Sequence, residues 1–225
     1  MIDMNIHRRI LLNILKDLYQ DTIVAPWLGF KGGTALYFFH ELNRFSVDLD
    51  FNLLIDEKDF DSKKIEAILK RYITIKDYSA KKHTFFYLGS YRETHRNVKI
   101  EISRRSFNDE YEIQNLYGIS VKTMTKPYLF AHKLCAIHDR KVLATRDLFD
   151  ARFMFMKNFP IADEIIKVRT GLSIERYFEE LTHYIPKHLP KEGILHSLGD
   201  LLDEKTKEWA KEKLVQDLVF YLKSY

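Results

Sequence analysis

The chain has 225 residues, 46% of them hydrophobic and 14% aromatic, which supplies a sizeable core and excludes a disordered chain. A formal net charge of +4 permits a nucleic-acid partner without demanding one. The longest apolar runs, such as Thr34 to Phe39, fall far short of the roughly 18 residues of a membrane span, so no membrane association is expected.

In chain order, Ile6, Ile10, Leu11, Ile14, Leu15 and Leu18 recur at helical spacing, predicting an amphipathic helix over residues 4 to 19. No apolar signal core stands behind the charges of MIDMNIHRRI, so no export signal is expected. A short extended segment from Pro26 to Phe30 delivers the chain to Gly32-Gly33, and a helix is expected from Thr34, as its cap, to about Asn43. Residues 47 to 53 alternate like a strand, with Asp48 and Asp50 on one face and Val47, Leu49 and Phe51 on the other.

A second helix is expected over residues 56 to 72, burying Phe60, Ile65, Ile68, Leu69 and Tyr72. Strand material follows from Thr84 to Tyr91 and from Asn97 to Arg105, rich in β-branched and aromatic residues. From Lys126 onward the period is helical throughout, including the stretch through Lys141, the run 144 to 159 and the segment 204 to 224. The expected fold is α+β: a small mixed sheet with flanking helices in residues 1–122, then a helical part in residues 123–225, with no linker between them. Cys135, the single cysteine, excludes an internal disulfide and fits a reducing, cytoplasmic setting; inside an apolar helix it reads as core.

Two carboxylates on one strand face repel each other and lose hydration, so the pair Asp48 and Asp50, roughly 6 to 7 Å apart along a strand, calls for compensation. A hard divalent cation would supply it, since Mg²⁺ takes one or two protein carboxylates and leaves positions for substrate phosphates. Solvated aspartates on an edge strand are the bland alternative. Gly32-Gly33-Thr34 stands between an extended segment and a helix, where unhindered N–H groups form an anion site, and Lys31 adds positive charge. The combination is a phosphate cradle, one helix, and a strand with two metal-type carboxylates.

These residues resemble the nucleotidyltransferase superfamily that includes DNA polymerase β: a glycine pair or Gly-Ser step, a spacer, then acid-hydrophobic-acid-hydrophobic. Here Gly33-Thr34 takes the Gly-Ser role, and residues 35 to 47 separate it from Asp48-Leu49-Asp50-Phe51. The superfamily's third acid, on a neighbouring strand, corresponds to Glu101, with a surface glutamate as the alternative. Lys31 to Leu36 and Arg44 to Phe51 resemble, more narrowly, the AbiEii/MenT family of toxin nucleotidyltransferases. That resemblance implies Asp48, Asp50 and Glu101 as metal ligands, with Glu101 alternatively deprotonating the acceptor. It implies Lys31, Gly32, Gly33, Thr34, Arg44, Ser46 and Lys133 as nucleotide-binding residues, and Mg²⁺ or Mn²⁺ as the metal. The implied reaction moves a nucleotide from a nucleoside triphosphate to a hydroxyl, with tRNA a natural acceptor and a cognate antitoxin as partner, in a bacterial toxin-antitoxin or phage-defence pair. A protein or small-molecule acceptor, or a non-catalytic nucleotide-binding module, is the rival reading.

The family continues with a helical lysine and an Arg-Asp pair, matched here by Lys133, Arg140 and Arg146-Asp147. Lys133 and Arg140, seven apart on one continuous helix, would share a face; Asp147 and Asp150 at i,i+3 would share another, with Arg146 and Asp150 as a surface pair. An ion-pair network joining two helices explains these residues as well as a grip on the triphosphate does. The resemblance favours Lys133 and Asp147 as catalytic residues, with Asp150 the competing acid. The nine histidines show no zinc-type spacing, and the alternating Lys and Glu residues of 204 to 213 read as a solvated helix face, with contact to RNA or a partner as the alternative.

Overall fold

A computed structural model describes residues 3–91, 97–140 and 142–225; Met1, Ile2 and Lys141, the end of one expected helical stretch, lie outside the described residues. The chain divides into two compact units, residues 1–41 with 45–124, and residues 42–44 with 125–225.

The first unit opens with helix α1 (Met4–Gln20), capped by the Asp3 carboxylate, which accepts from the Asn5 and Ile6 amides. Strand β1 (Leu28–Lys31) leads directly into α2 (Gly32–Phe39), and β2 (Asp48–Leu53) follows. Then come α3 (Ser62–Leu69), β3 (Thr74–Lys81), β4 (Thr84–Ser90), β5 (Val98–Ser103), β6 (Tyr111–Leu116) and β7 (Ile119–Met124). The strands form one mixed sheet in the order β3-β4-β5-β2-β1-β7-β6. β2 runs parallel to β5 and antiparallel to β1, so the strand with the two aspartates is central.

Alternation does the work expected of it on β2. Leu49 and Phe51 are fully buried with Leu11, Ile14 and Leu15 of α1 and Ile65 and Leu69 of α3, while Asp48 and Asp50 on the opposite face stay partly open. The apolar side therefore fixes the register, because a one-residue slip would drive both aspartates into that core.

Two local expectations are corrected, and three strands were not expected at all. The helix after the glycine pair begins at Gly32 and ends at Phe39, and Thr34 lies inside it with a buried side chain, not at its cap. The expected helix over 56 to 72 is shorter, because Asp61 caps it by accepting from the Lys63 amide and Glu57–Asp59 form a separate 3₁₀ turn. β3, β6 and β7 went unexpected: β3 is an edge strand exposed on both faces for most of its length, so no apolar alternation marks it, whereas Ile119 and Val121 of β7 do alternate with Ser120 and Lys122.

The second unit is helical: α4 (Lys126–Asp139), α5 (Thr145–Met156), α6 (Asp163–Thr170), α7 (Ile174–Lys187) and α8 (Glu204–Ser224). α8 buries Ala210, Leu214, Leu218 and Leu222, one residue per turn, and turns its Lys and Glu residues mostly outward. α5 is buried nearly all round, and Cys135 on α4 is a free thiol in the core, raised to about 11 by burial. Among the described residues no helix is long and apolar enough to cross a membrane.

Candidate active site

Lys31 is extended, Gly32 turns with φ +80°, and α2 starts there, so the backbone amides of its first turn have no intrahelical partners. Only glycine fits this turn. A Cβ on Gly32 would stand 2.6 Å from Asp50 Oδ2, so the anion-type turn and the aspartate abut. Strand pairing does the rest: Lys31 lies beside Asp50 across β1 and β2, Asp50 beside Glu101 across β2 and β5, and Asp48 beside Lys99. Lys31, Asp50 and Glu101 thus share one row of a single sheet face, with Asp48 and Lys99 in the next row.

Lys99, which the sequence reading passed over, brings its ammonium to 3.3 Å from Asp48 Oδ2 and 3.7 Å from Glu101 Oε2. The signal was available, since Lys99 stands two residues before Glu101 on an alternating strand. His7 was missed as well, and no pattern pointed to it. It is fully buried, its Nε2 lies 3.0 Å from the Val47 carbonyl and its Nδ1 3.2 Å from the Tyr91 hydroxyl. A carbonyl only accepts, so Nε2 carries a proton and donates it to Val47. His7 thereby pins the residue immediately before Asp48.

Thr34 and Ser46 have a similar fastening part. Thr34 Oγ1 donates to the Asp48 carbonyl and lies 2.8 Å from Ser46 Oγ, tying α2 to the start of β2. Further along the same face, Asn52 Nδ2 donates to Asp109 Oδ2 at 2.8 Å and to the Tyr111 hydroxyl at 2.7 Å.

The remaining expected site residues form a charge cluster of the second unit. Arg44 grips Asp150 with two parallel hydrogen bonds, Nε to Oδ1 at 2.6 Å and Nη2 to Oδ2 at 2.7 Å. Lys133 Nζ lies 2.8 Å from Asp147 Oδ1 and 2.7 Å from Asp150 Oδ2, and Arg140 Nε donates to Asp147 Oδ2 at 2.6 Å. Both aspartates have fully buried side chains, that of Lys133 is 13% exposed and that of Arg140 is 42% exposed.

Burial pushes the Asp147 carboxyl up, but the Lys133 and Arg140 charges overcome it and hold the group down at about 2. Asp150 stands in the same balance, with burial overcome chiefly by Arg44 and then Lys133, and is held below the usual carboxylate range. Burial would lower Lys133, yet the two aspartates raise it. All three are charged at neutral pH. Two expectations change here: α4 ends at Asp139, so Arg140 reaches Asp147 from an extended residue and not from a continuous helix, and Asp150 is a buried partner of Arg44 and Lys133, not half of a surface pair with Arg146.

The family described as nucleotidyl transferase AbiEii toxin of type IV toxin-antitoxin systems matches residues 14–216. The chain belongs to the AbiEii nucleotidyltransferase toxin family. JHP933 from Helicobacter pylori is similar in fold to this AbiEii-family chain, with 20% identity, a TM-score of 0.57, and coverage of 98% of this chain and 94% of that one. A chain from H. pylori provisionally described as a nucleotidyltransferase matches with 21% identity, a TM-score of 0.56, and coverage of 97% and 95%. No curated protein matches the chain.

The residues fit the divalent metal that the family resemblance implies. Asp48, Asp50 and Glu101 are hard oxygen donors on one sheet face, the Lys99 ammonium already stands between two of them, and the Gly32 turn leaves Asp50 uncovered. Among the described residues no three His, Cys, Asp or Glu side chains converge as a ready metal cage. Mg²⁺ does not require one, because it is bound through one or two carboxylates together with substrate phosphates.

Proposed function

We propose that this AbiEii-family chain transfers a nucleoside monophosphate from a nucleoside triphosphate to an acceptor hydroxyl, releasing pyrophosphate. The acceptor oxygen bonds to the α-phosphorus as the bond from that phosphorus to the pyrophosphate oxygen breaks. The observation that carries this reading is the abutment of the Gly32 turn and the Asp50 carboxylate, 2.6 Å from where a Cβ would stand. It sets a phosphate-type turn and a metal-type carboxylate side by side on elements that the core holds rigid.

Asp48 and Asp50 would hold Mg²⁺ or Mn²⁺, which supplies charge neutralisation for the triphosphate as negative charge builds on the leaving oxygen. The backbone of Gly32, Gly33 and Thr34 would cradle phosphate, with Lys31 adding charge. Glu101, in line with Asp50 and partly exposed, would complete the metal site or accept the acceptor's proton. An RNA acceptor, tRNA foremost, fits the basic charge balance and the toxin family, which implies a cognate antitoxin and growth arrest in a bacterial cytoplasm.

The test is incubation with each radiolabelled nucleoside triphosphate, Mg²⁺ and total bacterial RNA, with Asp50→Asn as the control. Label in RNA that vanishes with the variant supports the reading, and label appearing only in protein or a small molecule moves the acceptor class. No label in any fraction of a lysate would return the chain to a nucleotide-binding module.

A second reading concerns Lys133, because its enclosure by two buried carboxylates favours a scaffold over a grip on the triphosphate. Calorimetric titration of Lys133→Met with nucleoside triphosphate and Mg²⁺, beside thermal unfolding, separates the two. A stable variant that binds roughly 10- to 150-fold more weakly restores the grip, whereas a destabilised variant with normal affinity confirms the scaffold.

A further inference from the structure

The proposed cation site carries a positive charge of its own. Lys99 is beside Asp48 in the β2 and β5 register, and its ammonium lies 3.3 Å from Asp48 Oδ2 and 3.7 Å from Glu101 Oε2. This is not a wandering surface lysine. Its side chain is 26% exposed, and strand pairing holds its backbone between β2 and β4, where it also faces Leu88. Glu101 in turn stands beside Asp50, so Lys99 is set among the carboxylates that would take the metal.

An ammonium in that position does two things. It offsets the mutual repulsion of carboxylates on one sheet face, which keeps them gathered when no metal is bound. It also opposes a free divalent cation, which must displace it from Asp48 and meets its charge at short range. A triphosphate changes that balance, because it brings further oxygen ligands for the cation and an alternative anion for the ammonium.

We propose that Lys99 is a built-in counter-ion which holds the cation position in the metal-free protein and must yield it, so that the divalent metal is captured together with the triphosphate and poorly by itself. Lys99 is in this role a positioning residue, acting through Asp48 and Glu101. The inference rests on the reading of Asp48 as a metal ligand given above.

The experiment is calorimetric titration of the full chain with Mn²⁺, without nucleotide and again with a saturating nucleoside triphosphate, for the wild type, Lys99→Met, Lys99→Gln, Lys99→Arg and Asp48→Asn, with thermal unfolding of each in chelator. Both neutral variants are expected to bind Mn²⁺ at least about tenfold tighter than the wild type, since a like charge a few ångströms away has been removed. Lys99→Arg should remain as weak as the wild type. The neutral variants should also melt lower in chelator and recover with Mn²⁺. Because glutamine keeps a polar head without the charge, it serves if methionine disturbs folding.

Unchanged or weaker Mn²⁺ binding in the neutral variants overturns the role of Lys99. If Asp48→Asn loses Mn²⁺ binding that the wild type shows, while the neutral variants gain nothing, the metal reading stands and only Lys99 falls. If no variant binds Mn²⁺ with or without nucleoside triphosphate, the metal reading fails and takes this proposal with it.

Discussion

Asp50 and Asp150 are residues of one type with the same intrinsic acidity, and the fold puts them in opposite surroundings. Asp50 stands on a half-open strand face against a glycine turn, with Lys31 and Glu101 in its row. Asp150 is fully buried, clamped by Arg44 and shared with Lys133. A carboxylate left partly hydrated can exchange partners, so it can serve a cation and a substrate. A carboxylate sealed against two cations has spent its lone pairs, and its removal leaves charges stranded in a low-dielectric interior. The neighbours of an aspartate, more than its place in a motif, decide whether it stays open to new partners or is committed to the scaffold.

The sharpest way to break that contrast is to delete each carboxylate. Asp150→Ala should cost about 3 to 5 kcal/mol in urea unfolding, because Arg44 and Lys133 lose a shared buried partner. A loss below about 1 kcal/mol would mean that the cluster is not a scaffold. Asp50→Ala should behave in the reverse manner, with nucleotide transfer down at least about 100-fold and stability within about 0.5 kcal/mol of the wild type. Retained turnover with an unchanged melting point would remove Asp50 from the reaction centre.

Acid titration sharpens the contrast without mutation. The folded-state values of Asp147 and Asp150 are depressed, so their stabilisation is complete above the unfolded carboxyl value near 4 and is lost as pH falls towards the folded value, about 2 for Asp147. Thermal midpoints should therefore hold between pH 7 and 5 and drop between about pH 4 and 2. In Asp147→Asn that acid slope should be shallower. Equal slopes in the two proteins would mean that other carboxylates govern acid unfolding.

The smallest expected effect lies between α2 and β2. Thr34→Val removes the hydroxyl that holds the Asp48 carbonyl and meets Ser46, and should cost about 1 to 2 kcal/mol. Transfer by this variant, assayed well below its melting point, should fall less than in Asp50→Ala, because the proposed phosphate cradle is made of backbone amides.

How far the site was legible follows from the range of each signal. The Gly32 turn, the alternation of Asp48 and Asp50 and the facing glutamate are local or strand-periodic features, and periodicity reads directly. Lys99 was equally local and was overlooked. His7 was not legible, since the Val47 carbonyl it holds lies 40 positions away and a lone histidine on an apolar helix face announces nothing. Thr34 looked like a helix cap because threonine before an apolar run usually is one, but the glycine turn starts the helix two residues earlier and frees its hydroxyl for Asp48.

The α+β character, the buried and open faces of β2, the glycine turn and the family-type blocks are all readable from local signals, because hydrophobic period and turn chemistry act within a few residues. Which charges meet is set by packing between distant segments. Arg44 lies 106 positions from Asp150, and Lys133 lies 14 from Asp147, and no spacing rule says that the buried ends of these side chains converge. Packing decides it, because a buried charge is tolerated only where the fold delivers its opposite.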